Sequence, residues 1–381
     1  MRTPEPETGG VTVRPVVSHK DLLRFIRFPW KIYAGNPYWV PPLISERKKL
    51  LDRLRNPFYG HAEMELFVAK RGRELVGRIG AIVNHLHNSY QMENIGFFGF
   101  FESVNDQTVA KTLFDAALGW LRSKGVSRMR GPANPSMNDD CGLLIEGFEE
   151  SPAILMPYNP PYYAELFEGY GLKRVMDLYA YSVSKERMEH GKVLRLGEMV
   201  RQRHSVHIRS LKMKNLHREV ELVKEIYNKA WSSNWGFVPL TAEEIDYLAT
   251  DLKQILDPDL ALLAEVNGQA VGFALALPDI NQVLKKIRNG RLFPFGLLKF
   301  LLYRPKIDSV RLVISGVIKE YQRRGIDALF YSEIFHRGIA KGIYRAEASW
   351  ILETNTMMNS GLGAMNAIRT KTYRMYEMST S

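Results

Sequence analysis

Apolar residues along the chain follow two rhythms, one of period two and one near 3.6, and the order in which they alternate is written twice. "LFVAKRGRELVGRIGAIV" (66–83) and "LLAEVNGQAVGFALAL" (262–277) each predict a strand, a glycine-containing turn and a second strand carrying Val-Gly. Their glycines, Gly77 and Gly272, lie 195 residues apart. At the same offset "VTVRPV" (11–16) returns in character as "VHIRSL" (206–211). "IYAGNPYWVPPLISERKKLL" (32–51) and "IYNKAWSSNWGFVPLTAEEIDYL" (226–248) share a plan, an aromatic and a Val-Pro ahead of a polar, helix-like run. A period this long is too large for a solenoid and predicts two domains of one fold.

Each half reads as strand, two helices, hairpin, strand, helix, strand, helix and a last strand or two. In the second half the first helix is expected over about 216–230, and the next starts at a Thr241-Ala-Glu-Glu capping box. The hairpin turns at Asn267-Gly268. A buried strand covers 309–318, a helix covers 325–341 and ends at Gly342, and a strand follows over 346–353. The expected fold class is α+β, two tandem domains each with a central mixed β-sheet flanked by helices. The predicted boundaries are a flexible tail over 1–10, a first domain over 11–183, a charged linking helix over 184–204 and a second domain over 205–381 with an insertion at 280–306.

Of the 381 residues, 45% are hydrophobic and 24% charged, ordinary values for a globular protein with sizeable cores. The net charge of +11 favours an anionic partner: nucleic acid, a membrane surface or a polyphosphate-bearing substrate. One cysteine, Cys141, allows no intramolecular disulfide and makes a reducing cytosol the expected home. The N-terminus lacks a signal-peptide pattern, and no apolar stretch reaches the roughly 20 residues of a spanning helix.

The junction between the apolar run "SVRLVISGVI" (309–318) and the helix that follows is "EYQRRGIDALF" (320–330). Gln322-Arg323-Arg324-Gly325-Ile326-Asp327 resembles the signature loop of the GNAT acyltransferase superfamily, which binds the pyrophosphate of coenzyme A. The chemistry suits that use, because free amides at a helix N-terminus bind phosphate oxygens, a glycine lets the backbone approach and arginines add charge-assisted bonds. The resemblance implies two tandem GNAT-like domains and an acyl-CoA or acyl-carrier-protein donor held by Val317, Lys319, Gln322, Arg323, Arg324, Gly325 and Ile326, with Asn355 opening the equivalent of the family's last helix. Asp327 departs from the family, which has Gly or Ala there. In the first half the region 96–121 carries a strand and a helix but no basic glycine loop. Phe167 and Leu362 stand where the family often has a tyrosine that protonates the leaving thiolate.

Acyl transfer to an amine needs a proton acceptor and a polarised thioester carbonyl. Strand amides around Gly316–Lys319 are candidates for the second task. Glu347 and Glu353, six apart on one strand and so on one face, are candidate bases or surface ion-pair partners. Tyr373 and Tyr376, three apart, face opposite sides, so at most one serves as an acid. The loop 131–163 is long and rich in Asn, Asp, Pro and Tyr. Its Asn138, Asp139, Asp140 and Tyr158 suit a pocket for a cationic amine, with Asp140 a candidate catalytic carboxylate, or equally the capping of turns. His85, His87 and Cys141 lack metal-ligand spacing, and no metal is assigned.

In the insertion, Lys285, Lys286, Arg288, Arg291, Lys299 and Arg304 interleave with Leu, Phe and Tyr, the composition of an interfacial helix. A lid over an acyl-chain channel and a packing helix are the alternatives, and peripheral contact with an anionic inner-membrane surface is the partner the first reading implies. "GPANPSMNDDCGLLIEGF", "MPYNPPYYAELFEGYGLKRVMDLYAY" and "SWILETNTMMN" with "TKTYRMYE" also resemble a bacterial group of double-GNAT proteins in which ceramide synthase activity is found. That resemblance implies N-acylation of a sphingoid base. The rival readings are a small-molecule N-acetyltransferase, a relative that uses charged tRNA, and a non-catalytic lipid- or partner-binding module. No aromatic-studded basic strand supports nucleic acid.

Overall fold

Period-two runs form strands and the longer apolar periods form helices in the computed structural model, which describes residues 10–189, 192–204, 206–232 and 234–381. The tail expected over 1–10 lies, save Gly10, outside the described residues. Two compact units result, and neither is one stretch of sequence. The first takes the chain up to Phe148, then Pro157–Met176 and Arg374–Ser381; the second takes Glu149–Met156 and Asp177–Tyr373.

The first unit contains β1 (Val11–Pro15), α1 (His19–Arg27), β2 (Ala62–Arg71), β3 (Glu74–Asn84), β4 (Ile95–Ser103), α2 (Gln107–Ser123), β5 (Arg128–Gly131) and α3 (Tyr163–Tyr170). The sheet runs β1-β2-β3-β4-β5 and is antiparallel except for the parallel β4–β5 pair. Its sixth strand is the end of the chain, which pairs with β5 from Tyr376↔Gly131 to Ser379↔Arg128. Asp106 caps α2 by accepting from the amides of Thr108 and Val109. The apolar face of that helix, with Leu113, Phe114, Ala117 and Leu121 wholly buried, forms one core with Ile79, Phe98 and Phe167.

The second unit begins within β6 (Lys173–Ser184) and continues through α4 (Val193–His204), β7 (His207–Ser210), α5 (Leu216–Trp231), α6 (Ala242–Leu252), β8 (Ala261–Val266) and β9 (Gln269–Pro278). After the insertion helix α7 (Phe295–Tyr303) come β10 (Ser309–Val317), α8 (Ile326–Ile339), β11 (Arg345–Leu352), α9 (Thr356–Ala364) and the start of β12 (Ile368–Ser379). Its sheet has the order β7-β8-β9-β10-β11-β6, with β10 and β11 parallel. The Thr241 capping box forms, and Asn267 (φ 51°) and Gly268 (φ 78°) make the left-handed turn of the β8–β9 hairpin. Gly77 pairs with Ser103 and Gly272 with Val317, so the two glycines of the repeat occupy equivalent ladder positions in the two units. The α+β fold class and its mixed sheets are those the apolar pattern predicts.

Candidate active site

In the second unit the parallel ladder between β10 and β11 is short, running from Ser309↔Arg345 to Leu312↔Ala348 and no further. Beyond it, β10 keeps its partners on β9, and Val313 is an extra residue between the Leu275↔Ile314 and Ala276↔Leu312 pairs. That bulge bends the strand, and β11 turns at Trp350, whose φ is 54°. The strands therefore part at Leu312 and Ala348, leaving Val313–Val317 without a strand partner on the β11 side, where the Ser315 carbonyl accepts from Trp231 Nε1 (3.1 Å). The bulge lies N-terminal to the Gly316–Lys319 amides suggested by the sequence.

The open edge leads into the basic loop. Gln322 donates from Nε2 to the carbonyl of Val317 (2.9 Å) and holds the turn closed. Arg323 (φ 59°) and Gly325 (φ 79°) both take left-handed backbone, which brings the chain sharply into α8. No side chain caps that helix, so its first-turn amides present donors toward the loop. Arg323, Arg324 and Lys319 are exposed there, and the Arg324 guanidinium stands 4.8 Å from the Tyr321 ring centre. Val317 and Ile326 are buried and anchor the two ends. Asp327 is half-buried, and loss of solvent pushes its carboxyl up toward the neutral form, reducing its conflict with an anion beside it. Asn355 caps α9 by accepting from Met358 N (3.0 Å).

Helix α4, within the expected linking segment, packs against the start of α8. A Cβ at Gly197 would lie 2.9 Å from Ser332 Cβ and 3.1 Å from Ala328 O, and one at Gly325 would lie 2.6 Å from Val200 Cγ2. Close approach of these two helices thus depends on glycine on both sides.

A buried polar cluster lies beside the point where β10 and β11 part. Lys371, 2% exposed at its side chain, donates to Glu347 Oε2 and to Glu150 Oε2 (both 3.2 Å). Glu347 Oε1 is buried with no hydrogen-bond partner among the described residues. Burial opposes the Lys371 charge, but Glu347 and Glu150 outweigh it and hold the ammonium above its ordinary pKa. Asp279, just past β9, accepts at Oδ1 from Ile154 N (2.9 Å) and Asn281 N (3.2 Å). Burial, helped by the nearby Glu347 charge, pushes its carboxyl up to about 6. Arg311 is fully buried, donating from Nε to Ser349 Oγ (2.7 Å) and from Nη1 to the carbonyls of Ile154 (2.9 Å) and Leu155 (3.2 Å), with its guanidinium 4.6 Å from the Trp350 ring centre.

Arg311, Asp279 and Lys371 were not singled out from the sequence. One signal was available for Arg311, a lone arginine in the apolar run "SVRLVISGVI". Glu353 ties strands together, donating its backbone N–H to Asp177 O (3.0 Å) and accepting at Oε1 from Asp177 N (3.1 Å). Tyr373 is wholly buried in the second unit. Tyr376, in the first unit, is also buried and donates to Glu168 Oε1 (3.0 Å).

Asn138, Asp139, Asp140 and Tyr158 belong to the first unit. Asp140 pairs with Arg47 (3.0 Å), Asp139 accepts from Ser136 Oγ (2.6 Å), Asn138 donates its backbone N–H to that same Ser136 Oγ (3.1 Å), and Tyr158 donates to Phe148 O (3.0 Å). The first unit's strand pair does not open. After Phe97↔Arg130 the chain stays against β4, where a Cβ on Gly131 would lie 2.4 Å from Phe98 O and one on Gly99 would lie 1.8 Å from Ala133 O. Asn134 Oδ1 accepts the Phe100 amide. The edge that has no strand partner in the second unit is thus occupied in the first by the chain's own residues 131–134. Among the described residues, no cluster of three His, Cys, Asp or Glu side chains is placed to hold a metal ion.

A mixed sheet in this strand order, doubled, with a parted parallel pair running into an uncapped helix, is the fold of two tandem GNAT-like units. The chain is 37% identical over 380 residues to the bacterial ceramide synthase of Caulobacter vibrioides, covering 97% of each. It is also 37% identical over 373 residues to protein YghO of Escherichia coli K12, covering 96% of this chain and 94% of that protein. The chain belongs to the family these two proteins represent. No protein-family model matches it. A tandem GNAT protein from the clavulanic acid biosynthesis pathway superposes with a TM-score of 0.58 at 9% identity, covering 97% of this chain and 99% of its own. A GCN5-related N-acetyltransferase from Sphaerobacter thermophilus gives 0.52 at 14%, covering 98% and 96%. At such identities the likeness is one of fold.

Proposed function

We propose that this acyltransferase takes a long-chain acyl group from a coenzyme A thioester and joins it to the amine of a sphingoid base, giving a ceramide. The donor half rests on one observation, the open edge of β10 running directly into the uncapped first turn of α8. Pantetheine amides would pair with Val313–Val317 as an added strand does. The pyrophosphate would sit on the amides around Gly325, with Lys319, Arg323 and Arg324 supplying positive charge. The acceptor half is supported by the Caulobacter relative, which is named for ceramide synthesis.

In this reading the amine nitrogen attacks the thioester carbonyl carbon, a C–N bond forms, the C–S bond breaks, and the thiolate leaves to take up a proton. The proton lost by the amine goes to Glu347, whose buried Oε1 is without a partner among the described residues. Asp279, with its carboxyl near 6, is a second carboxylate suited to proton transfer at neutral pH. Lys371 holds Glu347 in place and balances its charge.

Calorimetric titration with palmitoyl-CoA, acetyl-CoA and free CoA, followed by mass spectrometry of a reaction with sphinganine, tests the proposal. Binding of the long-chain thioester and an amide product are expected, and Arg323→Ala with Arg324→Ala should weaken donor binding by roughly tenfold to a hundredfold. Binding of acetyl-CoA alone would replace this reading with that of a small-amine acetyltransferase. No heat with any of the three would overturn the donor site.

A further inference from the structure

We propose that the insertion between β9 and β10 is a docking surface for an anionic lipid bilayer. Its root is built into the second unit, with Val283, Leu284 and Ile287 buried. Gly296 lets α7 close onto that root, since a Cβ there would lie 2.3 Å from Arg291 O. What the root holds outward is apolar: Phe293, Phe295, Leu298, Leu301 and Leu302 are each between 60% and 75% exposed. The other large exposed apolar side chains are scattered along the sequence, while these five fall within ten residues. A contiguous exposed patch of that kind marks an interaction site.

Charge names the partner. Residues 281–306 hold seven Lys and Arg and no Asp or Glu, against a net charge of +11 for the whole chain. Several of these cations rim the apolar face, with Lys286 and Lys306 5.9 and 5.3 Å from the Tyr303 ring centre and Arg304 5.9 Å from that of Phe300. Phe and Leu on the face with basic residues around it is the composition of a helix lying in a bilayer interface. At nine residues α7 spans only about 13 Å, too short to cross the roughly 30 Å hydrocarbon core. A second copy of the chain is disfavoured, because a symmetric contact would bring two sets of seven like charges together. The inference stands apart from the acyl-transfer reading, since it concerns a surface and no reacting group.

The test is flotation of the full-length protein with phosphatidylglycerol-rich vesicles and with pure phosphatidylcholine vesicles, at low and high salt. Binding to the anionic vesicles that weakens with salt is expected. Phe293→Ser with Leu298→Ser and Leu302→Ser should lower that binding by roughly tenfold or more, and so should Arg288→Gln with Arg291→Gln and Arg304→Gln. Unchanged near-ultraviolet circular dichroism would establish that both variants are folded. Absence of wild-type binding, or equal binding by wild type and folded variants, would overturn the proposal. So would a dimer in sedimentation velocity that the serine variant abolishes, which would assign the face to a second copy.

Discussion

A fully buried arginine is tolerable in β10 because Arg311 meets oxygen atoms in fixed positions: a serine hydroxyl and two carbonyls of the 149–156 segment. Asp279 is a different case, since its oxygen is hydrogen-bonded yet its charge is opposed by burial and by Glu347. Its carboxyl titrates near 6 in the folded protein and near the ordinary 3.8 when unfolded. The folded state therefore holds the proton more tightly between those values, and stability falls as pH rises through that window. Above it the ionised carboxylate costs on the order of 3 kcal/mol. Asp279→Asn keeps the oxygen that accepts from Ile154 and Asn281 and removes the titration. Urea unfolding from pH 4 to 8 should show the variant gaining stability over the wild type as pH rises, with the difference levelling off above about pH 7. Parallel curves would mean that Asp279 titrates normally. Nothing in "ALPDINQ" distinguishes this Asp from a turn residue, because its burial comes from strands and a segment distant in sequence.

At the scale of elements, the sequence was most legible where structure is local. The hairpin turn at Asn267-Gly268, the Thr241 capping box and the stop at Gly342 each depend on a few neighbouring residues, and each is present. The basic loop was legible for the same reason. What was not legible is what stands beside it: α4 meets α8 through Gly197 and Gly325, and neither glycine announces a helix partner. Gly325 has two reasons to be glycine, a φ of 79° and Val200 at 2.6 Å from any Cβ. Gly325→Ala should cost about 1–2 kcal/mol from backbone alone, with more from the displaced Val200. Thermal melting together with CoA titration reads both consequences, and a variant with wild-type stability and affinity would show that the loop relaxes freely.

For the whole molecule, the chain's last strand is the decisive element. Residues 374–381 complete the sheet of the first unit, although some 200 residues lie between them and α3. They supply buried Tyr376 and Glu377, which pairs with Arg128 (3.1 Å) and Arg130 (2.7 Å). Removing Arg374–Ser381 should therefore loosen the first unit, with exchange of the β5 amides quickened by about a hundredfold or more. Unchanged protection of β5 would mean that the first unit closes without its borrowed strand. The equivalent element of the second unit, β6 from Leu178 to Ser184, comes from the first half of the sequence.

Sequence by itself determined the elements, the doubling, the α+β class and the position of the basic glycine loop, because periodicity, caps and turns are properties of neighbouring residues. Tertiary structure decided which of two similar strand pairs stands open. In the first unit Gly99 and Gly131 allow the chain to lie against β4, while in the second the bulge at Val313 and the turn at Trp350 part the strands. It also decided which charges are buried. The environments of Arg311, Asp279, Glu347 and Lys371 are set by strands and a loop far apart in sequence, so their roles could be assigned only after those pieces had met.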